Sequence, residues 1–250
     1  MHRSLGLMAL LLLAACADSP APATPPLLDP TLPHNGGTYA DWGGRWWAWT
    51  LGLPASQAPY AVDTCTTAGQ PTEPVFFLAG TGGMGAATRS CTIPPGRALF
   101  FPLVNGTTWA CWEGEPGGGG GCPENSEATL RSQLEATWSE LPSTVRVVLD
   151  GVNVDLGAIA DLRGASGRID FAGPATPDAP ADNYCMTPLP DVAAACGETV
   201  GAPRWLLSDG YWAMLRPLSP GAHTLRIYGA THAGAPDEFV VDVTYDLDVQ

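Results

Sequence analysis

The spacing of hydrophobic positions changes from one segment of this chain to the next, and it predicts most of the secondary structure. Between Thr38 and Leu51, large aromatic residues recur every three or four positions: Tyr39, Trp42, Trp46 and Trp49. This is the period of an amphipathic helix, with Thr38 as a candidate N-cap. We expect the aromatic stripe to pack against the domain. The alternative is an aromatic platform for a sugar ring, with Trp47 off the stripe and exposed.

A second helical period lies near the middle of the chain. Apolar residues fall on one face of the segment 125–141: Leu130, Leu134, Trp138 and Leu141. Asn125 or Ser126 can cap this helix, and Pro142 ends it. We therefore predict a second helix with one buried face.

From Ser143 onward the apolar period changes to two, which is typical of strands with one buried face. Asp150 and Gly151 form a strong signal for a two-residue hairpin turn between strands at 145–149 and 152–156. Further strands are predicted at residues 74–79, 97–104, 167–171, 211–216, 222–229 and 238–249. Pro102 indicates that its strand is an edge strand or carries a bulge.

Short strands, turns rich in glycine and proline, and few helices together predict the fold class. We expect an all-β fold, mainly a β-sandwich of jelly-roll-like type, with one or two peripheral helices. Long loops are expected at 105–123 and 176–203. In a chain of 250 residues, residues 38–250 are predicted to form a single disulfide-stapled β-rich domain.

The first 37 residues do not fit this domain. Residues 1–15 have a positive start and an apolar run of roughly ten residues, as a signal peptide does. Leu13-Ala14-Ala15-Cys16 resembles the lipobox of bacterial lipoproteins, which predicts a lipid on Cys16 as a membrane anchor; an ordinary secretory signal is the alternative. Residues 16–37 are rich in proline and are predicted to be a tether. Ala17, in place of an aspartate, favours the outer membrane where the cell has one.

Six cysteines remain after Cys16, and an even number in an exported protein indicates disulfides. Six cysteines allow 15 pairings. We predict the sequential one, because each pair encloses a segment rich in turn residues: Cys65–Cys91, Cys111–Cys122 and Cys185–Cys196. A metal site is the alternative, and it is disfavoured because the chain has no CxxC pair or Cys-His cluster.

The net charge of −14 narrows the range of partners. An acidic protein is repelled by nucleic acid and by anionic lipid surfaces, so we expect neither as a partner, whereas sugars, cations and proteins stay compatible. No cofactor is predicted. Gly80, Gly82 and Gly85 match G-x-G-x-x-G, but the prolines that follow leave little room for the helix that a dinucleotide site requires.

Candidate catalytic residues are few, since the chain has no G-x-S-x-G, P-loop or HExxH motif. By alternation, His223 shares a strand face with Leu225 and Ile227, which is typical of a core histidine. If His223 is catalytic, Asp209 is its expected partner. Glu113 is a further candidate, for glycoside chemistry, which needs two carboxyl groups.

Candidate ligand-binding residues are tryptophans. Trp109 and Trp112 lie on a predicted glycine-rich loop, where two indole rings are hard to bury, and exposed tryptophans often contact ligands. With Trp47 they form the candidate binding set; the alternative is that they plug one end of the sandwich. Asp242, Asp246 and Asp248 are expected to form a solvated acidic face, because strand neighbours about 7 Å apart do not share one Ca²⁺ directly.

Several sequence blocks occur together in one order: WGGRWWAW, VFFLAGTGG, RSCTIPPGRALFFPLVN and SDGYWAMLRPLSPGAHTLRIYG. In these blocks the chain resembles a group of exported bacterial proteins without an assigned activity. The resemblance implies a single secreted β-rich domain and carries no mechanism.

Three hypotheses for function follow from these patterns. A membrane-anchored, extracytoplasmic binding module for a glycan or an envelope protein ranks first. A hydrolase or lyase acting on polysaccharide ranks second, and a structural envelope protein third. The patterns do not decide whether the chain is an enzyme, and they do not set its oligomeric state.

Overall fold

The structure is a computed structural model that describes residues 26–60, 63–72, 74–82, 85–109, 126–138, 140, 142–172, 203–235 and 238–250. Several residues predicted to have a role lie outside these ranges: Cys16, Cys111, Trp112, Glu113, Cys122, Cys185 and Cys196. The predicted signal peptide and residues 16–25 of the predicted tether lie outside them as well.

The described part of the chain contains nine strands and two α-helices. The strands are β1 Val75–Phe77, β2 Ala86–Ile93, β3 Ala98–Trp109, β4 Thr144–Leu149, β5 Val152–Asn153, β6 Ile169–Ala172, β7 Pro203–Leu215, β8 Gly221–Thr231 and β9 Phe239–Val249. The helices are α1 Tyr39–Leu51 and α2 Glu127–Trp138. The predicted all-β class with one or two helices is confirmed.

The strands form two mixed sheets. The first has the order β1-β3-β7-β6 and the second β2-β9-β8-β4-β5. Two neighbouring pairs are parallel, β1 with β3 and β2 with β9, and the other pairs are antiparallel. Alternation along single strands predicts which face is buried and does not reveal this pairing.

The two sheets share one hydrophobic core. Leu103 and Val104 of β3 and Leu225 and Ile227 of β8 are buried in the same cluster. The approach is closest at Gly229, where an added Cβ atom would lie 2.2 Å from the Leu103 carbonyl oxygen. Only glycine fits at this contact, so this residue sets how near the sheets come together.

Helix α1 covers the first sheet, as the aromatic stripe predicts. Thr38 and Asp41 form a capping box at its start. The Trp46 indole donates to the Leu78 carbonyl oxygen at 2.9 Å. A Cβ on Gly43 would lie 2.7 Å from the Trp212 ring. The glycine that lowers helix propensity therefore allows the helix to approach the sheet closely.

Helix α2 begins after Ser126, whose hydroxyl accepts from the Thr129 N–H at 3.2 Å. Its buried residues are those predicted for this face: Leu130, Leu134 and Trp138. The helix packs on β3 and β7. The two-residue hairpin is also confirmed: Asp150 and Gly151 both have positive φ, and Leu149 pairs with Val152.

The structure also tests the predicted boundaries and differs from several of them. Strand β3 continues to Trp109, so the predicted loop begins later than residue 105. Of the two alternatives predicted for Pro102, an edge strand or a bulge, the bulge is confirmed, because the register shifts after Pro102 while β3 lies between β1 and β7. Strand β2 was not predicted. The predicted tether also ends too late: Leu28 is buried, and its N–H donates to the Met214 carbonyl oxygen at 2.8 Å.

The glycine-rich segment after β1 leads into strand β2. A dinucleotide-binding turn would instead open a helix at this point. The carbonyl oxygen of Gly80 accepts a hydrogen bond of 3.0 Å from the buried Arg89 side chain. Arg89 also donates to the Tyr245 hydroxyl at 3.1 Å, which ties this segment to β9.

Candidate functional site

The outer face of the second sheet is a polar surface of the described domain. Residues that point away from the core on β8 and β9 alternate with buried residues along each strand. Paired residues place these side chains in rows across the sheet. One row contains Arg146, Tyr228 and Asp242, and the next contains Val148, Arg226 and Thr244.

A groove of about 190 Å³ lies on this face between β4 and β8. We call it the β4–β8 groove, and its lining residues are Thr144, Arg146, Val148, Arg226 and Tyr228. The groove combines an aromatic ring, an aliphatic side chain, two guanidinium groups and a hydroxyl. A small number of placed polar groups beside apolar surface is typical of a ligand site.

The two arginines of the β4–β8 groove are held differently. Arg226 donates two hydrogen bonds of 3.0 Å to the two oxygens of Asp242, and these raise the pKa of the guanidinium. Arg146 donates from Nε to Asn153 Oδ1 at 3.0 Å. No described residue accepts a hydrogen bond from either Nη group of Arg146. Arg146 therefore presents the donors that are still available to a ligand.

A second and wider depression, of about 600 Å³, lies on the same side of the domain. Its polar lining residues are Thr64, Thr67, Ser90, Thr92, Asp246 and Asp248. Tyr228 and Ala222, which mark the two sites on β8, are six residues apart, or roughly 20 Å along a strand. An extended ligand can reach both sites.

His223 does not meet Asp209. Its Nδ1 lies 2.7 Å from Asp150 Oδ2, and its Nε2 lies 2.9 Å from the Ser219 carbonyl oxygen. A carboxylate and a carbonyl only accept hydrogen bonds, so the protonated ring, in which both nitrogens donate, satisfies both contacts. The hydrogen bonds to Asp150 and Ser219 accordingly raise the pKa of His223.

The same contact affects the carboxyl group. Burial acts to raise the pKa of Asp150, but hydrogen bonds from His223 and from the Thr224 N–H outweigh it, and the pKa is lowered. An imidazolium whose two N–H groups are both engaged does not act as a general base. The geometry fits a clamp that joins the β4–β5 turn to the start of β8.

Asp209 has a different partner, Arg163. Its Oδ2 lies 2.6 Å from Arg163 Nη2, and its Oδ1 accepts from Arg163 Nε at 3.0 Å and from the Gly210 N–H at 2.7 Å. The Asp209 side chain is 1% exposed. The predicted partnership of His223 and Asp209 is therefore wrong, because each side chain is held by another group.

The structure describes only some of the three candidate ligand-binding tryptophans. Trp47 is half-buried against the core, and its ring packs edge-on against Trp46 with centroids 5.1 Å apart. It does not form the exposed platform that its position off the stripe suggests. Trp109 ends β3, where its backbone pairs with Leu206, so it belongs to a strand. Trp112, like Glu113, falls outside the described residues.

One predicted disulfide is confirmed. Cys65 and Cys91 are bonded, with Cα atoms 5.0 Å apart, and the bond joins the segment after α1 to β2. The other two predicted pairs fall outside the described residues. Among the residues that the structure describes, no three His, Cys, Asp or Glu side chains are grouped to hold a metal ion. Neither described α-helix has the length and apolar character needed to cross a bilayer.

Comparisons with known proteins do not assign the chain to a family. No family model and no curated protein matches the chain. Among solved structures, it is similar to the solution structure of amebosin, with 9% identity and a TM-score of 0.20 over 71% of this chain and the whole of that one. A TM-score of this size does not indicate a shared fold.

The residues of the β4–β8 groove were not among the predicted site residues, although alternation along each strand predicts that they point away from the core. Arg226 and Tyr228 alternate with Leu225 and Ile227, which are buried. Their outward position follows from a period of two. That Arg146 stands beside Tyr228 depends on the pairing of β4 with β8, and a single sequence does not give this register.

Proposed function

We propose that this chain is a membrane-anchored, extracytoplasmic binding module whose ligand is a glycan, bound on the outer face of the second sheet. The observation that carries the proposal is the β4–β8 groove, where Tyr228, Val148 and two arginines converge on about 190 Å³. Sugar rings have apolar faces and polar edges, so an aromatic ring next to hydrogen-bond donors is a suitable site for them.

The anchor and the location are parts of the same proposal. They rest on the lipobox-like sequence that ends at Cys16. The Cys65–Cys91 disulfide supports an oxidising compartment, because such bonds persist mainly outside the cytoplasm. Replacing Cys16 by serine tests the anchor separately: we expect the protein to leave the membrane fraction, and retention there would contradict lipidation.

A polysaccharide-acting enzyme receives less support. His223 and Asp209 are both held by other groups and do not converge. The aspartates on the outer face of β9 are two residues apart along the strand, and Asp242 is engaged by Arg226. The catalytic pairing of His223 with Asp209 that the sequence suggested is therefore not formed.

Binding is tested with the full chain in detergent on an array of neutral and acidic oligosaccharides. We expect retention of at least one class by the wild type and its loss in Tyr228→Ala. Leu32→Ala is the control, because Leu32 is a large exposed apolar residue remote in sequence from the groove. Equal retention by Tyr228→Ala and the wild type, or no retention of any glycan, would contradict the proposal.

A further inference from the structure

We propose that the β4–β8 groove selects a saccharide that carries an isolated carboxylate, with Arg146 as the residue that binds it; this inference rests on the glycan-binding function proposed above. The Arg226 guanidinium is already neutralised by Asp242 through two hydrogen bonds. Arg146 has no such counterion among the described residues. The two arginines and one aspartate leave one positive charge at the groove.

The free end of Arg146 has the geometry that a carboxylate requires. Its Nε is occupied by Asn153 at 3.0 Å, and that contact fixes the plane of the guanidinium. The two Nη groups can then donate side by side to the two oxygens of one carboxylate. A held guanidinium loses less side-chain entropy on binding than a mobile one.

The rest of the groove favours a sugar over a simple carboxylate. Arg146 and Tyr228 face each other directly across the ladder. Their Cβ atoms are therefore about 5 Å apart. Val148 and the Tyr228 ring form an apolar wall, and Thr144 adds a hydroxyl. A carboxylated sugar ring can place its apolar face on Tyr228 and its charged group on Arg146.

The charge of the whole chain limits how densely the ligand carries carboxylates. A net charge of −14 repels a dense polyanion over distances up to the screening length. A single surplus positive charge at the groove compensates one carboxylate. The second depression on this face has Asp246 and Asp248 in its lining, which repel further carboxylates and accept from hydroxyl groups. We therefore expect a carboxylated sugar flanked by neutral sugars.

The test uses titration calorimetry of the full chain in detergent with three probes. The first is a hyaluronan octasaccharide, in which glucuronate alternates with N-acetylglucosamine. The second is the same oligosaccharide with its carboxyl groups reduced to alcohols, and the third is N-acetyl-D-alanyl-D-alanine. We expect the reduced form to bind at least tenfold more weakly than the octasaccharide, and the dipeptide to bind more weakly still.

Two arginine variants test whether the carboxylate is recognised in the β4–β8 groove. Arg146→Gln is expected to weaken binding of the octasaccharide about tenfold and to leave binding of the reduced form unchanged. Arg168→Gln is the control, because this arginine is 54% exposed and lies next to β6 in the other sheet. A variant effect equal for both saccharides would overturn the role of Arg146.

Other results separate this inference from the proposed function. Equal binding of the octasaccharide and its reduced form, lost in Tyr228→Ala, would refute carboxylate selection and leave glycan binding intact. Competition by the dipeptide as strong as that of the octasaccharide would assign the groove to peptide carboxylates and overturn the inference. Binding of neither saccharide, with no retention on the glycan array, would contradict both proposals.

Discussion

Replacing Asp209 by asparagine tests whether this residue has a structural or a catalytic role. The substitution keeps the shape of the side chain and removes its charge, so Arg163 loses the bidentate contact made at 2.6 and 3.0 Å. The side-chain nitrogen of the new asparagine donates hydrogen bonds and cannot accept one from Arg163, which also donates. Asp209 is 1% exposed and Arg163 is 29% exposed, so water reaches only the arginine.

The expected loss follows from these exposures. Breaking a fully buried ion pair costs about 3 to 5 kcal/mol, and access of water to Arg163 reduces this to about 2 to 3 kcal/mol. The matched control is Asp170→Asn, because the ion pair between Arg168 and Asp170 is 54% and 78% exposed. An exposed pair of this kind contributes at most about 1 kcal/mol.

The assay is urea unfolding of both variants at pH 7, followed by tryptophan fluorescence. Equal m-values are required, so that a change in midpoint reports a change in the free energy of unfolding. We also expect Asp209→Asn to bind glycans as the wild type does under conditions where it is folded. If Asp209→Asn and Asp170→Asn unfold within about 0.5 kcal/mol of each other, the structural role assigned to Asp209 is refuted.

Three further substitutions test the packing of the sheets, the clamp and the disulfide. Gly229→Ala is expected to destabilise by about 2 to 3 kcal/mol through overpacking, whereas Gly167→Ala, with open space around the added atom, stays near neutral; equal midpoints in urea would contradict the close approach of the sheets. The stabilisation by His223, whose pKa is raised, is complete below pH 6.5 and is lost as the pH rises through that raised pKa. The stability difference between the wild type and His223→Gln should therefore shrink from pH 6 to pH 9, and a constant difference would contradict the clamp. Replacing Cys65 and Cys91 together by alanine should cost about 3 kcal/mol for a separation of 26 residues, and an unchanged unfolding midpoint under oxidising conditions would argue against this bond.

The elements with a clear local period were predictable from the sequence. Helix α1 has both its cap and its stripe, and the alternation along β9 assigns its buried residues correctly. Asp150-Gly151 specifies its turn through the need for positive φ. In each case, the signal lies within a dozen residues, so no knowledge of the rest of the chain is needed.

The elements that were missed depend on distant parts of the chain. Strand β2 contains small and polar residues with only partial burial, and it is a strand because it pairs with β9. The partner of His223 is Asp150, seventy-three positions away. Asp209 was proposed for His223 because it comes just before a strand expected to lie beside that of His223, but β7 and β8 belong to different sheets. Such contacts follow from topology, and local propensity does not encode them.

The position of β9 between β2 and β8 in the second sheet affects how the chain can fold during synthesis. β2 and β8 both pair with β9 and not with each other. Roughly 150 residues separate β2 from β9, which corresponds to about 7 to 30 s at ordinary translation rates. During that interval β2 has no partner strand in this sheet, and its exposed edge is open to proteases and to aggregation. Under the export proposed above, an unfolded chain avoids this exposure in the cytoplasm, because the second sheet closes only after residues 239–249 have crossed the membrane.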